Sequence, residues 1–241
     1  MTTLLKMSSI IHFTAHFESL KNILKEEAFR LKYCKEIFYL GDKIASNAVH
    51  PMVSFSEQNV SSINKKNITY GKFGIGMRKN WVSNKKLHPV LYLDKNSTVA
   101  NALTLLLKAR RKNATTQLAP EIKLSIMTIK CFTKNSTGYN SYFNIHDFNF
   151  KLEKEWRFVP TKSEINDNLI SQTKKLYDKR MEYYNEKLKK YPLRFKISEI
   201  EYIFVENEAQ RKEIYELYNI EKQKILISKW STELKTKRTI M

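Results

Sequence analysis

Segments with strand-like alternation and segments with helical spacing succeed each other in a fixed order along this chain, and that order sets the fold class. Ser9 to Thr14 reads as a short strand, and Phe17 to Phe29 follows with Phe17, Leu20, Ile23, Leu24 and Phe29 at helical spacing. A strand ending in His12-Phe13-Thr14 therefore runs directly into a helix. Residues 30–50 leave the assignment open, apart from a turn at Gly41-Asp42. Pro51 to Glu57 is a strand, a short helix is expected from Asn59 to Lys65, and Ile68 to Met77 is a turn opening into a strand with Phe73, Ile75 and Met77 on one face. His88 to Leu93 is a strand. Ser97 caps a helix from Val99 to Lys112 that buries Leu103, Leu106 and Leu107. Ile122 to Phe132 alternates as a strand, residues 134–149 form a loop, and Glu153 to Phe158 is a strand. Ile165 to Lys190 reads as a long charged helix with Leu169, Leu176, Tyr184 and Leu188 on one face, ended by Pro192. Ile200 to Val205, Glu208 to Tyr218 and Lys224 to Ile227 close the chain as strand, helix and strand, with fraying expected from Thr236 to Met241. The expectation is one α+β domain over residues 1–241. It has a mixed, mostly antiparallel central sheet with flanking helices, and a long charged helix at 163–191 as an insertion or interaction arm.

Charge narrows the partners. The 241 residues include 43 Lys+Arg against 24 Asp+Glu, a formal net charge of +19. A field of that sign favours polyanions, with nucleic acid first and an anionic membrane surface or an acidic protein next. Lys108, Arg110, Arg111 and Lys112 form a compact basic patch at one predicted helix end, a candidate contact for nucleic acid or another anion.

The two cysteines, Cys34 and Cys131, lie far apart and in no Cys-x-x-Cys cluster, so buried free thiols in a reducing cytoplasm are expected. His88 and His146 have no partner at metal-ligand spacing, so no metal site is expected. No P-loop, Gly-x-Ser-x-Gly or His-Glu-x-x-His is present, and the glycines at 71, 74 and 76 do not have dinucleotide-fingerprint spacing. No signal-peptide pattern and no apolar stretch of membrane-spanning length appears, so a cytoplasmic protein is expected.

The stretch Lys151-Leu152-Glu153-Lys154-Glu155-Trp156-Arg157-Phe158 carries the most chemistry. In a strand, Glu153 and Glu155 share one face and Trp156 packs on the other. Two carboxylates in one space require a cation, a ligand or a raised pKa. Two readings stand beside a site: solvated glutamates on an edge strand, or Arg157 paired to Glu153 or Glu155 as a structural ion pair. Likewise His12 fits a core histidine, Thr14 a helix cap and Tyr70 a packing aromatic.

His12-Phe13-Thr14, Met52-Val53-Ser54-Phe55-Ser56, Tyr70-Gly71-Lys72-Phe73-Gly74-Ile75-Gly76-Met77, Pro89-Val90-Leu91-Tyr92 and Glu153-x-Glu155-Trp156-Arg157 together resemble the AbiGi family, the antitoxin component of abortive phage-infection systems. The resemblance implies a role in anti-phage defence, by binding a cognate toxin, a phage protein or nucleic acid. A looser similarity is to ADP-ribosyltransferases, including the DarT kind that modify DNA. It implies NAD as cofactor, held by His12, Thr14, Ser54, Ser56 and Tyr70, and catalysis by Glu155 with His12 and Tyr70. Glu155 would then bond the ribose 2′-OH and stabilise the oxocarbenium-like transition state as nicotinamide leaves.

Overall fold

A computed structural model describes residues 8–60, 63, 70–111 and 117–230. In chain order, the first half contains β1 (Ser8–Thr14), α1 (Phe17–Glu26), β2 (Ala28–Phe29), β3 (Lys32–Leu40), β4 (Lys43–Asn59), β5 (Phe73–Met77), α2 (Lys79–Asn84), β6 (His88–Pro89), β7 (Leu91–Leu93) and α3 (Thr98–Ala109). The second half contains α4 (Pro120–Cys131), β8 (Thr133–Asn135), β9 (Thr137–Asn140), β10 (Ile145–Asn149), β11 (Glu155–Phe158), β12 (Gln172–Thr173), α5 (Lys174–Lys179), α6 (Met181–Leu188), β13 (Leu193–Arg194), β14 (Ile200–Val205), α7 (Glu208–Tyr218) and β15 (Ile225–Ile227). This is an α+β fold with a mixed, mostly antiparallel sheet.

The main sheet runs β15-β14-β5-β1-β4-β11-β6, with only β14 and β15 parallel. The 17-residue β4 organises it. The first half of β4 pairs with β3 and β12, and its second half lies between β1 and β11. The β1–β4 ladder stops at Ile11↔Ser56, whereas β1 stays paired with β5 as far as Thr14↔Phe73. Beyond Ile11, β1 and β4 therefore separate, and His12 sits at the fork. The larger core packs Leu20 and Leu24 of α1 with Ile10, Phe29, Val53, Phe55, Ile75 and Trp81. A smaller one joins Ile11, Ile63, Phe204 and Trp230 on the opposite sheet face.

Several expected elements differ. Ile122 to Phe132 is not a strand: α4 begins with Pro120 at its first turn and buries Ile126, Met127, Lys130 and Cys131, spaced for a helix. Its hydroxyls fold back, Ser125 onto the Glu121 carbonyl and Thr128 onto that of Leu124. The long helix expected over 163–191 is instead a 3-10 turn at Ser163–Ile165, β12, and the short helices α5 and α6. Asn166 and Asp167 are both left-handed, which no helix accommodates, and Arg180 at φ −144° breaks α5 from α6. Leu169 and Leu176 are exposed, so the supposed apolar face of that helix is not a buried stripe.

The open region 30–50 is the β3–β4 hairpin, turned at Gly41 with φ +57°. Phe29 lies in β2 rather than α1, because Glu27 ends the helix in the left-handed region. The strand at 88–93 divides at Val90, whose N–H turns to the Glu155 carbonyl at 2.8 Å while β7 leaves to pair with β8. Within 134–149 the chain forms β9 and β10. Leu106, expected inside, is exposed. Lys112, the fraying end at 236–241 and most of the helix expected at 59–65 lie outside the described residues.

Candidate functional site

Strand β11 presents Glu155 and Arg157 on one face, directly opposite Ser56 and Ser54 of β4. Arg157 is fully buried. Its Nε and Nη2 donate to Glu155 Oε1 and Oε2 at 2.8 and 3.1 Å, Nη2 also reaches Glu36 Oε1 at 2.7 Å, and Nη1 bonds the Cys131 carbonyl at 2.6 Å. Ser54 Oγ donates to Glu155 Oε1 at 2.9 Å. On the other side Lys134, from β8, bridges Glu153 Oε2 at 2.7 Å and Glu155 Oε2 at 3.3 Å. Glu153 accepts from the Tyr70 hydroxyl, which also receives the Asn140 amide at 3.1 Å. Charges thus alternate in a row: Glu36, Arg157, Glu155, Lys134, Glu153.

The two glutamates share one space, as the Glu-x-Glu spacing predicts, but by a different route. Only Glu155 is in the strand. Glu153 ends a 3-10 turn, and Lys154 between them is left-handed with φ 45°. That kink swings Glu153 back under Lys134. Trp156 packs on the opposite face, its indole N–H donating to Glu57 at 3.2 Å.

Environment separates the two carboxyls. Burial pushes Glu155 up, but the Arg157 and Lys134 charges overcome it and hold the carboxyl at about 2. Glu153 is raised by burial, which its Lys134 partner only partly offsets, with the Glu155 charge adding to the rise. Tyr70 is raised by burial and by the neighbouring Glu153 charge. The row can hold fixed charge in a buried sheet face. It offers little general-base strength at Glu155, because both oxygens of that carboxylate are already engaged.

Ser54, Ser56, Tyr70 and Glu155 are brought together; His12 is not. Ser54 and Phe55 are consecutive in β4 and point to opposite faces. Glu155 bonds Ser54, whereas the His12 ring meets Phe55 edge-on at 5.5 Å and Phe29 at 4.9 Å. His12 Nδ1 is bonded to the Ser54 carbonyl at 2.9 Å, and burial lowers its pKa, favouring the neutral ring. Thr14 shares the His12 face and is not the cap of α1, which is His16. Its carbonyl instead abuts Gly71, where a Cβ would meet Thr14 O at 2.1 Å. That close approach fixes Tyr70 at the edge of the row. Sequence reasoning missed Glu36, Lys134 and Asn140. Lys134 and Asn140 came from a stretch read as loop and Glu36 from one left open, so only the need for a cation beside Glu-x-Glu pointed toward them.

Two clefts open elsewhere, one of about 430 Å³ beside Gly41 and the start of α3, the other of about 490 Å³ between α2 and β13. Neither is lined by His12, Tyr70 or Glu155. Among the described residues no group of three His, Cys, Asp or Glu side chains is placed to hold a metal ion, and no helix is long and apolar enough to cross a membrane.

The basic patch at the end of α3 is split by burial. Arg110 is half-buried, and its Nε has no hydrogen-bond partner, while Lys108 and Arg111 face solvent. The same helix and α4 also carry exposed aliphatic side chains: Val99, Leu105 and Leu106 on α3, and Ile122 and Ile129 on α4, each 44% to 57% accessible. Val99/Leu106 and Ile122/Ile129 are each two helical turns apart, so each pair lies along one side of its helix. Helices α3 and α4 pack against each other, with Ala100, Leu103 and Leu107 of α3 and Ile126 and Met127 of α4 turned inward.

Residues 18–206 match the family described as putative abortive phage resistance protein AbiGi, antitoxin. The chain belongs to that family. It is 27% identical over 162 residues to the abortive phage resistance protein AbiGi of Lactococcus lactis subsp. cremoris, a match covering 60% of this chain and 65% of that protein. The chain thus spans somewhat less than two thirds of that relative's length. No solved structure matches.

Proposed function

We propose that this member of a phage-resistance family acts by binding a protein partner, the toxin of an abortive-infection pair, through the exposed aliphatic faces of α3 and α4. The observation that carries the reading is the exposure of Val99, Leu105, Leu106, Ile122 and Ile129 on two adjacent helices whose other faces are packed in the core. A cluster of large aliphatic side chains left in water marks an interaction site more often than a single one does. Lys108, Arg111 and Lys123 are basic residues of the same helices and their ends. They fit a partner whose apolar face is bordered by carboxylates. The antitoxin description of the family supports a toxin as that partner.

The transferase reading has less support. It needs His12, Tyr70 and Glu155 around one dinucleotide. Here Glu155 is engaged at both oxygens, and His12 lies on the other sheet face.

Co-expression with the toxin of the same locus tests the binding reading. The wild-type chain is expected to co-elute with it in gel filtration. Leu106→Glu and Ile129→Glu should abolish co-elution without lowering the melting temperature, while Leu217→Glu, at an exposed position on α7, should leave it intact. A wild-type chain that elutes alone, or substituted chains that still co-elute, overturns the proposal.

A further inference from the structure

The cleft between α2 and β13 is built differently from the rest of the surface. Its floor is apolar, formed by Leu31, Ile165 and Leu193, all buried. Two half-buried rings, Phe158 and Tyr191, stand in its walls, and the Tyr191 hydroxyl bonds no described residue. Lys85, Lys86 and Arg194 stand at its rim. None of the three cations makes an ion pair with a described residue. Arg194 is close enough to contribute to the lowered pKa of Glu26, but Arg30 is the main cause and already holds that carboxylate. The one acid among the described lining residues, Glu164, has an oxygen engaged by the Thr161 N–H and hydroxyl.

The end of helix α2 sets the position of Lys86 on this rim. Helix α2 ends with the Leu87 N–H on the Val82 carbonyl at 3.1 Å and the Lys86 N–H on the Ser83 carbonyl at 3.0 Å. That pair of bonds requires a left-handed residue between them, and Lys86 supplies it with φ 56°. Glycine is the favoured residue there, and a lysine costs about 1 kcal/mol of backbone strain. The left-handed turn places the Lys86 side chain at the mouth of the cleft, beside Lys85. On the facing wall, Arg194 follows the buried Leu193 in β13, so strand alternation turns it outward.

We propose that this cleft binds a nucleotide. The three cations take its phosphate, and the Phe158 and Tyr191 rings take its base, whether the nucleotide is free or part of a single strand. The volume of about 490 Å³ suits a ligand of that size. Unpaired cations meet phosphate as charge-assisted contacts, and aromatic faces stack on any base. The site is independent of the aliphatic faces of α3 and α4, so either assignment can fail alone.

Fluorescence anisotropy of a labelled oligothymidylate with the full chain tests it, with AMP, inorganic pyrophosphate and unlabelled oligothymidylate as competitors. Lys86→Gly and Arg194→Gln are each expected to weaken binding about tenfold at low salt and to flatten the log–log salt slope by about 0.7. Lys86→Gly should do so with an unchanged or raised melting temperature, since it relieves backbone strain; a structural role for Lys86 would not give that combination. Tyr191→Leu should weaken oligothymidylate and AMP but not pyrophosphate. Displacement by AMP assigns the site to free nucleotides, and displacement only by the oligonucleotide assigns it to a strand. Absence of binding, wild-type affinity in Lys86→Gly and Arg194→Gln, or pyrophosphate competing as well as AMP overturns the proposal.

Discussion

Arg157 grips Glu155 two residues back on the same strand, with Nε to Oε1 at 2.8 Å and Nη2 to Oε2 at 3.1 Å, and both side chains lie inside the protein. A residue pair spaced i, i+2 on a strand is held side by side by the pleat alone, so the chelate needs no loop closure. Its cost is desolvation of both charges, offset by Ser54, Lys134, Glu36 and the Cys131 carbonyl.

Removing one member of that pair strands the other. Glu155→Leu leaves Arg157 and Lys134 short of a counter-charge, and should destabilise by about 3–5 kcal/mol in urea unfolding. Arg157→Met should cost a comparable amount. The double substitution should cost less than the sum of the two by about 1–3 kcal/mol, the mark of direct coupling. Strict additivity would show that the two side chains do not depend on each other.

Buried titratable groups inside and outside the row set how the protein responds to acid. His50 is buried against Cys131 and the Ile170 carbonyl, and burial, reinforced by the Lys130 charge, lowers its pKa from 6.5 to about 3. A base with a depressed folded pKa contributes stability above the unfolded value. That stability is lost as pH falls from 6.5 toward 3. Glu155, lowered from 4.5 to about 2, contributes fully above about pH 5 and loses its share as pH falls toward 2. Glu153, raised by burial, has the opposite sign: its contribution is present below its unfolded pKa and fades as pH rises through its folded one. The melting temperature should therefore fall in two stages on acidification. His12, whose pKa burial also lowers, adds to the upper stage. His50→Gln should therefore reduce the upper stage without abolishing it and leave the lower one; an unchanged upper slope would remove His50 from the account.

Local pattern made much of this legible, and face made little of it legible. Strand alternation puts Trp156 opposite Glu155, an ion pair from Arg157 to Glu153 or Glu155 is one of the readings that stretch leaves open, and the α3 cap at Ser97 follows from its position before a helical run. Helix α4 was misread because Ile122, Thr128 and Ile129 favour strands, while the burial of Ile126, Met127, Lys130 and Cys131 is a tertiary fact. The break within 165–190 depends on left-handed Asn166 and Asp167, and no single-residue preference there outweighs the helix-forming lysines and glutamates. The separation of His12 from Glu155 is a matter of sheet geometry: the order His, Ser, Tyr, Glu says which segments carry them and nothing about which face each strand turns inward.

Gly71 should be intolerant of any side chain. A Cβ there would stand 2.1 Å from the Thr14 carbonyl oxygen, a backbone atom that cannot swing away, while the Gly71 carbonyl is bonded by the Trp230 indole at 2.9 Å. Gly71→Ala should cost about 3 kcal/mol or more in chemical denaturation. Gly138→Ala makes a useful contrast, because its nearest atom is on the Phe150 ring at 3.3 Å, and it should cost under about 1 kcal/mol. Equal costs would mean that β1 and the Tyr70–Gly71 segment can part without penalty.

Lys130 is the residue that the fold should gain from losing. Its side chain is fully buried on α4, its ammonium has no hydrogen-bond partner among the described residues, and it stands over the Phe38 ring at 5.5 Å. Burial depresses its pKa, only partly countered by the Glu36 charge. The wild-type protein should accordingly gain stability as pH rises from neutrality toward 10.5, because the unfolded chain then stops favouring the protonated form. Lys130→Met keeps the unbranched shape and removes the charge. It should raise stability at neutral pH by about 1 kcal/mol and abolish the gain on the alkaline side. Urea unfolding of both proteins at pH 7 and pH 9.5 measures this directly. A destabilised Lys130→Met would show that the ammonium contributes more through Glu36 and Phe38 than its burial costs.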